Sequence, residues 1–213
     1  MVAAVRKKAK NKKRPATQER LIEAAMELIH ARGYHETSLA AIGERAKVNA
    51  GMLYYFFRTK ERLLLAVLDR YVELLEPIIV QPALAATDDP IERVFAILDG
   101  YRQMLQQTEC KVGCPIGNLA LELSDAGQAV RERITLNFAN WCRAIENCLD
   151  AAGDALPADL DRARLSRFVL TVMEGGILQA RGQRSVEPFD DAVAQLRDYF
   201  NRLQLAGKKD GDT

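Results

Sequence analysis

The sequence has no run of 18 or more apolar residues, and its basic opening, MVAAVRKKAKNKKRP, is not followed by the apolar stretch that a secretory signal requires. No membrane partner is therefore expected, and a cytoplasmic location is. Cysteine is scarce: Cys110, Cys114, Cys142 and Cys148 are too few for a disulfide framework in 213 residues. Histidine is scarcer. His30 and His35 stand far from the cysteines in sequence, and no second close Cys pair exists, so neither a zinc site nor any other cofactor is expected. Also missing are a Ser-His-Asp set and a phosphate-cradling glycine loop, which removes the common hydrolase and nucleotide-binding readings. Strict apolar/polar alternation is mostly absent too, and with it most grounds for β-strands.

What remains is an all-α chain with 48% hydrophobic residues, ample for a buried core. Its net charge of +1 hides a division: residues 1–62 carry 14 Lys/Arg against 6 Asp/Glu, and residues 63–213 carry 16 against 23. A basic first segment on an acidic body points to a polyanionic partner for the first segment only. The spacing predicts a disordered basic arm over 1–16, a helical head over 17–62, a larger helical body over 63–205 and a flexible tail over 206–213.

Within the head, Thr17 is the expected cap of a first helix with Leu21, Ile22, Ala25, Leu28 and Ile29 on one face and Gly33 as its stop. A short second helix begins at Thr37 or Ser38. Lys47-Val48 turns the chain, and Asn49 caps a third helix ending near Phe57. Two short helices joined by a tight turn are the pattern of a helix-turn-helix, whose second helix enters the DNA major groove. Helical periodicity sends Leu53 and Phe57 inward and leaves Asn49, Ala50, Met52 and Tyr55 outward. Tyr54 and Tyr55 can then offer hydroxyls or ring edges to the duplex. Lys60 opens a fourth helix, where free amide groups already favour an anion.

These residues carry a resemblance. GYHETSLAAIGERAKVNAGMLYYFFRTKERLL is similar to the DNA-binding segment of the TetR family of bacterial repressors, from its Gly-aromatic-x-x-Thr lead to its x-G-x-L-Y-x-x-F-x-x-K ending. The resemblance implies that Thr37, Ala50, Met52, Tyr54, Tyr55 and Lys60 face double-stranded operator DNA, with the capping residues Ser38 and Asn49 at the edge of that face. The sequence departs from the family at Lys47, where a turn glycine is common, and at Phe56, where a phosphate-binding His is common. Lys47 is expected either in the left-handed region or in a different turn.

Helices are expected near 91–108, 116–124, 128–152, 159–181 and 189–205, with a bend or end at Pro77 and a connection over PALAATDDP. The resemblance implies that the middle helices enclose a cavity for a small-molecule effector. Its candidate lining is Tyr71, Phe95, Tyr101, Cys114, Phe138 and Trp141, with Asn118 and Glu122 as polar groups. Cys110 and Cys114 precede the short helix of CPIGNLALELSD. A thiol there is expected to have a lowered pKa, which opens an alternative reading as an electrophile- or redox-responsive regulator. A small Cys-dependent enzyme is a more distant alternative, because no base accompanies the thiol. The resemblance implies that the last two helices, which carry Gly175, Gly176 and Ile177 and a Val193, Leu196 and Phe200 stripe, pair two subunits in a homodimer through a four-helix bundle; packing within one subunit is the alternative. The long fourth helix is expected to pass the state of the cavity to the head.

Overall fold

Three oxygens, from Ser38, Asn49 and Thr59, set the starts of three successive helices. They accept from the amides of Ala41 at 3.1 Å, Met52 at 2.9 Å and Arg62 at 3.1 Å. Each thereby satisfies a donor that a helix N-terminus leaves unpaired. In the computed structural model, which describes residues 14–210 and side chains through 207, these caps open α2 (Leu39–Ala46), α3 (Ala50–Phe56) and α4 (Lys60–Leu75). The first helix, α1 (Ala16–Arg32), begins one residue before Thr17, with Pro15 rather than Thr17 at the cap position. It stops at Gly33, whose φ of 91° turns the chain away. Leu21, Ile22 and Ala25 from α1, Ile42 and Ala46 from α2, and Leu53 and Phe57 around α3 are all buried.

Lys47 ends α2 in the left-handed region, at φ 54° and ψ 48°. A side chain bearing a Cβ is strained there by roughly 1–2 kcal/mol. Nothing bulkier than hydrogen fits at Gly43 without a shift, since a Cβ would stand 3.1 Å from the Val48 carbonyl. The turn therefore holds its shape with its glycine at position 43 and a strained lysine at 47. Lys47→Gly should raise stability by about 0.5–1 kcal/mol, part of the relieved strain being offset by the larger freedom of glycine in the unfolded chain. Urea unfolding of the two proteins measures this; an unchanged or lower midpoint contradicts it.

At Pro77 the α-helical ladder of α4 gives way to a wider turn, and the body departs from expectation in the segment that follows. α4 passes without a break through a π-helical turn (Glu76–Val80) into α5 (Gln81–Ala86), so most of PALAATDDP is helical and the connection shrinks to residues 87–89. Pro82 has no N–H to continue the ladder, and the Gln81 amide reaches back to the Glu76 carbonyl across the wider turn. Asp89 then caps α6 (Pro90–Gln107), followed by α7 (Pro115–Glu122), α8 (Gln128–Ala151), α9 (Arg162–Gln183) and α10 (Glu187–Asp210). α10 outruns the boundary expected at 206: Gly207 is buried, and a Cβ there would meet the backbone of Ala155 and Leu156. Residues 211–213 lie outside the described residues.

A short turn folds α10 back along α9, and α8 packs between α9 and α4. α4 also packs on α1, which joins the head to the body. Phe95 of α6 meets Phe200 of α10 edge-on at 5.4 Å, and the Arg197 guanidinium lies 3.7 Å from the centre of the Phe95 ring. No helix among the described residues is long and apolar enough to cross a membrane.

Candidate DNA-contact face and ligand cavity

Because α3 is short and spends Leu53 on the core, its other side chains fan outward. Tyr55 is 76% exposed, Tyr54 54% and Met52 40%, and Ala50 is exposed beside them. Phe56 is half-buried and packs edge-on against Tyr55 at 5.1 Å, which steadies that ring. Ser38 and Asn49 are exposed at the two helix starts, their oxygens engaged as caps. Lys60 is held in place: its Nζ stands 4.2 Å from the centre of the Tyr34 ring and donates to the His35 carbonyl at 3.3 Å. Burial lowers its pKa from the ordinary lysine value, against an upward pull from Glu122 and Glu36.

Thr37 does not join this face. It is 1% exposed, and its hydroxyl donates to the Gly33 carbonyl at 2.7 Å, closing the loop between α1 and α2. In the basic arm, Lys7, Lys8, Lys10, Lys12 and Lys13 lie outside the described residues. Arg14 is paired, donating to both carboxylate oxygens of Glu73 on α4 at 2.9 and 2.8 Å.

Glu122 was a candidate for the ligand site, and the structure puts it elsewhere. From the end of α7 its two oxygens accept from the Tyr34 amide at 2.8 Å and the His35 amide at 2.6 Å. The loop of the head is thus clamped to the body by one carboxylate. Asn118, one turn earlier, accepts from Arg181 of α9 at 3.0 Å. His30 of α1 donates from Nε2 to the Gly113 carbonyl at 2.7 Å, just ahead of α7. Glu109 and Cys110, in the same approach, both hold positive φ, at 50° and 53°. Such a conformation costs roughly 1–2 kcal/mol per residue without glycine, and the Arg184 guanidinium secures the Cys110 carbonyl at 2.9 Å. α7 is therefore a short lever fixed to the head at both ends.

Between α1, α4, α6, α7, α8 and α9 lies a cavity of about 470 Å³. Tyr71, Tyr101, Cys114, Phe138 and Trp141 line it. Phe95 does not, being committed to the contact with Phe200. Asn118 lies in the adjoining pocket, which shares Cys114, Phe138 and Glu174 with the main one. Sequence reasoning missed His30, Asn137 and Glu174. Glu174 had a legible signal: it is an acid in the otherwise apolar run LTVMEGGIL. Asn137 is spent on the carbonyls of Leu68 and Arg133. Burial pushes the Tyr71 and Tyr101 hydroxyls well above the ordinary tyrosine range, so both stay neutral.

The expected lowering of the Cys114 pKa is reversed. Its sulfur does sit at the start of α7, 3.4 Å from the Gly117 amide. Burial first, and the neighbouring Glu174 carboxylate next, push the thiol well above its ordinary value. The few amides at a helix start do not outweigh the loss of water around a thiolate.

The expected dimer residues divide. Ile177, Leu196 and Phe200 are buried within the subunit, and Gly176 is pressed against Phe189, which a Cβ would approach to 3.0 Å. These residues join α9 to α10 in one chain. Val193 is half-buried against the same core. Gly175 faces outward with open space beyond it, in line with the exposed Phe168, Thr171 and Leu178 of α9. Tyr199 of α10 extends this face, its ring 5.8 Å from that of Phe168.

Residues 21–67 match the N-terminal domain of bacterial regulatory proteins of the tetR family. Residues 90–195 match the C-terminal domain described as transcriptional regulator LmrA/YxaF-like. A Lactococcus lactis HTH-type regulator from the lacX 3′ region is 24% identical over 188 residues, covering 88% of this chain and 94% of its own. The DhaR repressor of Mycobacterium sp. GP1 is 27% identical over 179 residues, covering 83% and 88%. A TetR regulator from Rhodobacter sphaeroides superposes with a TM-score of 0.78 at 23% identity, covering 88% of this chain and 98% of its own.

Proposed function

Since this chain belongs to the TetR family of bacterial transcriptional regulators, we propose that it is a cytoplasmic repressor that binds a palindromic operator as a homodimer and leaves it when a small molecule fills the cavity. The observation that carries this reading is the pairing of two features in one chain: an exposed Tyr54, Tyr55 and Met52 face on α3, and an apolar cavity whose wall includes the start of α7. A single helix reads too few base pairs for a unique site, and two copies about one helical turn apart supply the remainder. The face formed by the exposed Phe168, Leu178 and Tyr199, with Gly175 between them, is the surface through which the copies pair.

The route from cavity to head runs through α7 as well as α4. Cys114, Pro115 and Ile116 touch the cavity at one end, and Glu122 grips the head at the other. A ligand that displaces α7 favours a dimer with its two α3 helices at the wrong separation. A coupling of about 1–3 kcal/mol changes occupancy 5- to 150-fold. The alternative in which Cys110 and Cys114 sense electrophiles or oxidants requires an accessible thiolate; both thiols are buried, and at Cys114 burial opposes the charge.

Titration onto duplex DNA from the region upstream of its own gene, at several salt concentrations, tests the reading: saturable binding that weakens steeply with salt is expected. Tyr55→Ala should weaken it by roughly 5- to 150-fold, the value of a lost base contact. Its folding midpoint should stay within about 0.5 kcal/mol, as for other exposed positions. Unchanged affinity places Tyr55 off the DNA and the reading of α3 fails.

A further inference from the structure

The cavity contains a carboxylate without a counter-charge. Glu174 enters from α9, its Oε1 is buried, and no donor of the described residues hydrogen-bonds to that atom. Glu27 is the other acidic lining residue, and no Lys or Arg of the described residues lines the cavity. The nearest candidate cations are engaged elsewhere: Arg181 donates to Asn118, and His30 Nε2 donates to the Gly113 carbonyl. The walls are aromatic. Tyr101 and Trp141 meet edge-on at 6.4 Å, and Trp141 is 4% exposed. Burial alone holds Glu174 above the usual carboxylate range, with the Cys114 thiol pulling it back down.

A buried carboxylate left without a partner carries a desolvation cost that a bound cation removes. Aromatic faces attract the same cation through their quadrupoles. An anionic ligand meets the opposite: two acids, no Lys or Arg, and a His30 whose Nε2 is already spent on the Gly113 carbonyl. From this juxtaposition we infer that the effector is a lipophilic amine, its ammonium donating to Glu174 Oε1 and its apolar body lying between Tyr71, Tyr101, Phe138 and Trp141. This rests on the cavity being the effector site proposed above.

Three probes on one skeleton separate the charges: 4-phenylbutylamine, 4-phenylbutanol and 4-phenylbutyrate. Trp141 is the chain's single tryptophan, so its emission reports entry, and calorimetry confirms the affinities. The amine should bind about tenfold or more tighter than the alcohol, the difference expected for one hydrogen bond to a charged group, and the butyrate weakest. Glu174→Gln should remove the preference by weakening the amine and sparing the alcohol, with helicity unchanged. Equal affinities, a preference for the acid, or no binding by any probe in the wild-type protein overturns the assignment. Operator binding measured on the same sample keeps the two readings apart. If it persists while the amine fails, only the ligand class is wrong; if it is absent, the regulator reading itself has failed.

Discussion

Leu178→Lys should turn the proposed homodimer into a monomer and lower operator affinity by on the order of 10²- to 10⁴-fold, the usual gain from linking two binding modules. Leu178 is 59% exposed on the subunit, so an ammonium there is solvated and the fold should change by no more than about 0.5 kcal/mol. In the pair, the same ammonium is brought against its symmetry mate or the opposing Phe168 and Gly175 face. It then loses water without gaining a partner. Sedimentation of the two proteins at matched concentration checks this. A Leu178→Lys protein that remains dimeric and binds operator normally removes this face from the interface. Phe200→Ala is the control that separates the two kinds of residue. Phe200 is fully buried within one subunit, and its loss should act on folding rather than on assembly.

The second large effect is expected at Glu122. Replacing it with Ala strands the Tyr34 and His35 amides, which it accepts at 2.8 and 2.6 Å. The half-buried Tyr34 amide then loses its acceptor at a cost of up to about 1–3 kcal/mol, while the exposed His35 amide turns to water. Hydrogen exchange at those two amides should speed up in Glu122→Ala while exchange in the core of α8 and α9 stays slow. The coupling between cavity and head should fall with it, so a molecule that fills the cavity no longer lowers operator affinity. If exchange at Tyr34 and His35 is unchanged, the carboxylate does not hold the loop. If effector release survives, α7 is not the route and α4 carries the signal alone.

Local rules were enough for most of the head. Ser38, Asn49 and Thr59 announce their helices because capping is settled within three residues, and the Leu53/Phe57 spacing assigns the faces of α3 without knowledge of any other element. At Lys47 the sequence left two options, a left-handed residue or a different turn, and the structure takes the first. Thr37 was not legible. A threonine beside a helix start reads as a phosphate contact, and only the path of the chain at Gly33 shows that its hydroxyl is claimed by a carbonyl four residues back.

The all-α class, the helix-turn-helix and the basic head on an acidic body were written in composition, periodicity and caps, which act over a few residues. The destinations of Glu122, Glu174 and Gly176 were decided by tertiary structure. Each depends on a partner 50 or more residues away, or on a second helix laid across it. Glu122 meets the head because α7 ends beside Gly33, Glu174 becomes a cavity acid because α9 sets its carboxylate against Gly117 of α7, and Gly176 serves Phe189 of its own chain. One-dimensional spacing reports which face of a helix a residue occupies. What stands opposite that face is determined by packing, and there the choice between a clamp, a ligand contact and a dimer contact is made.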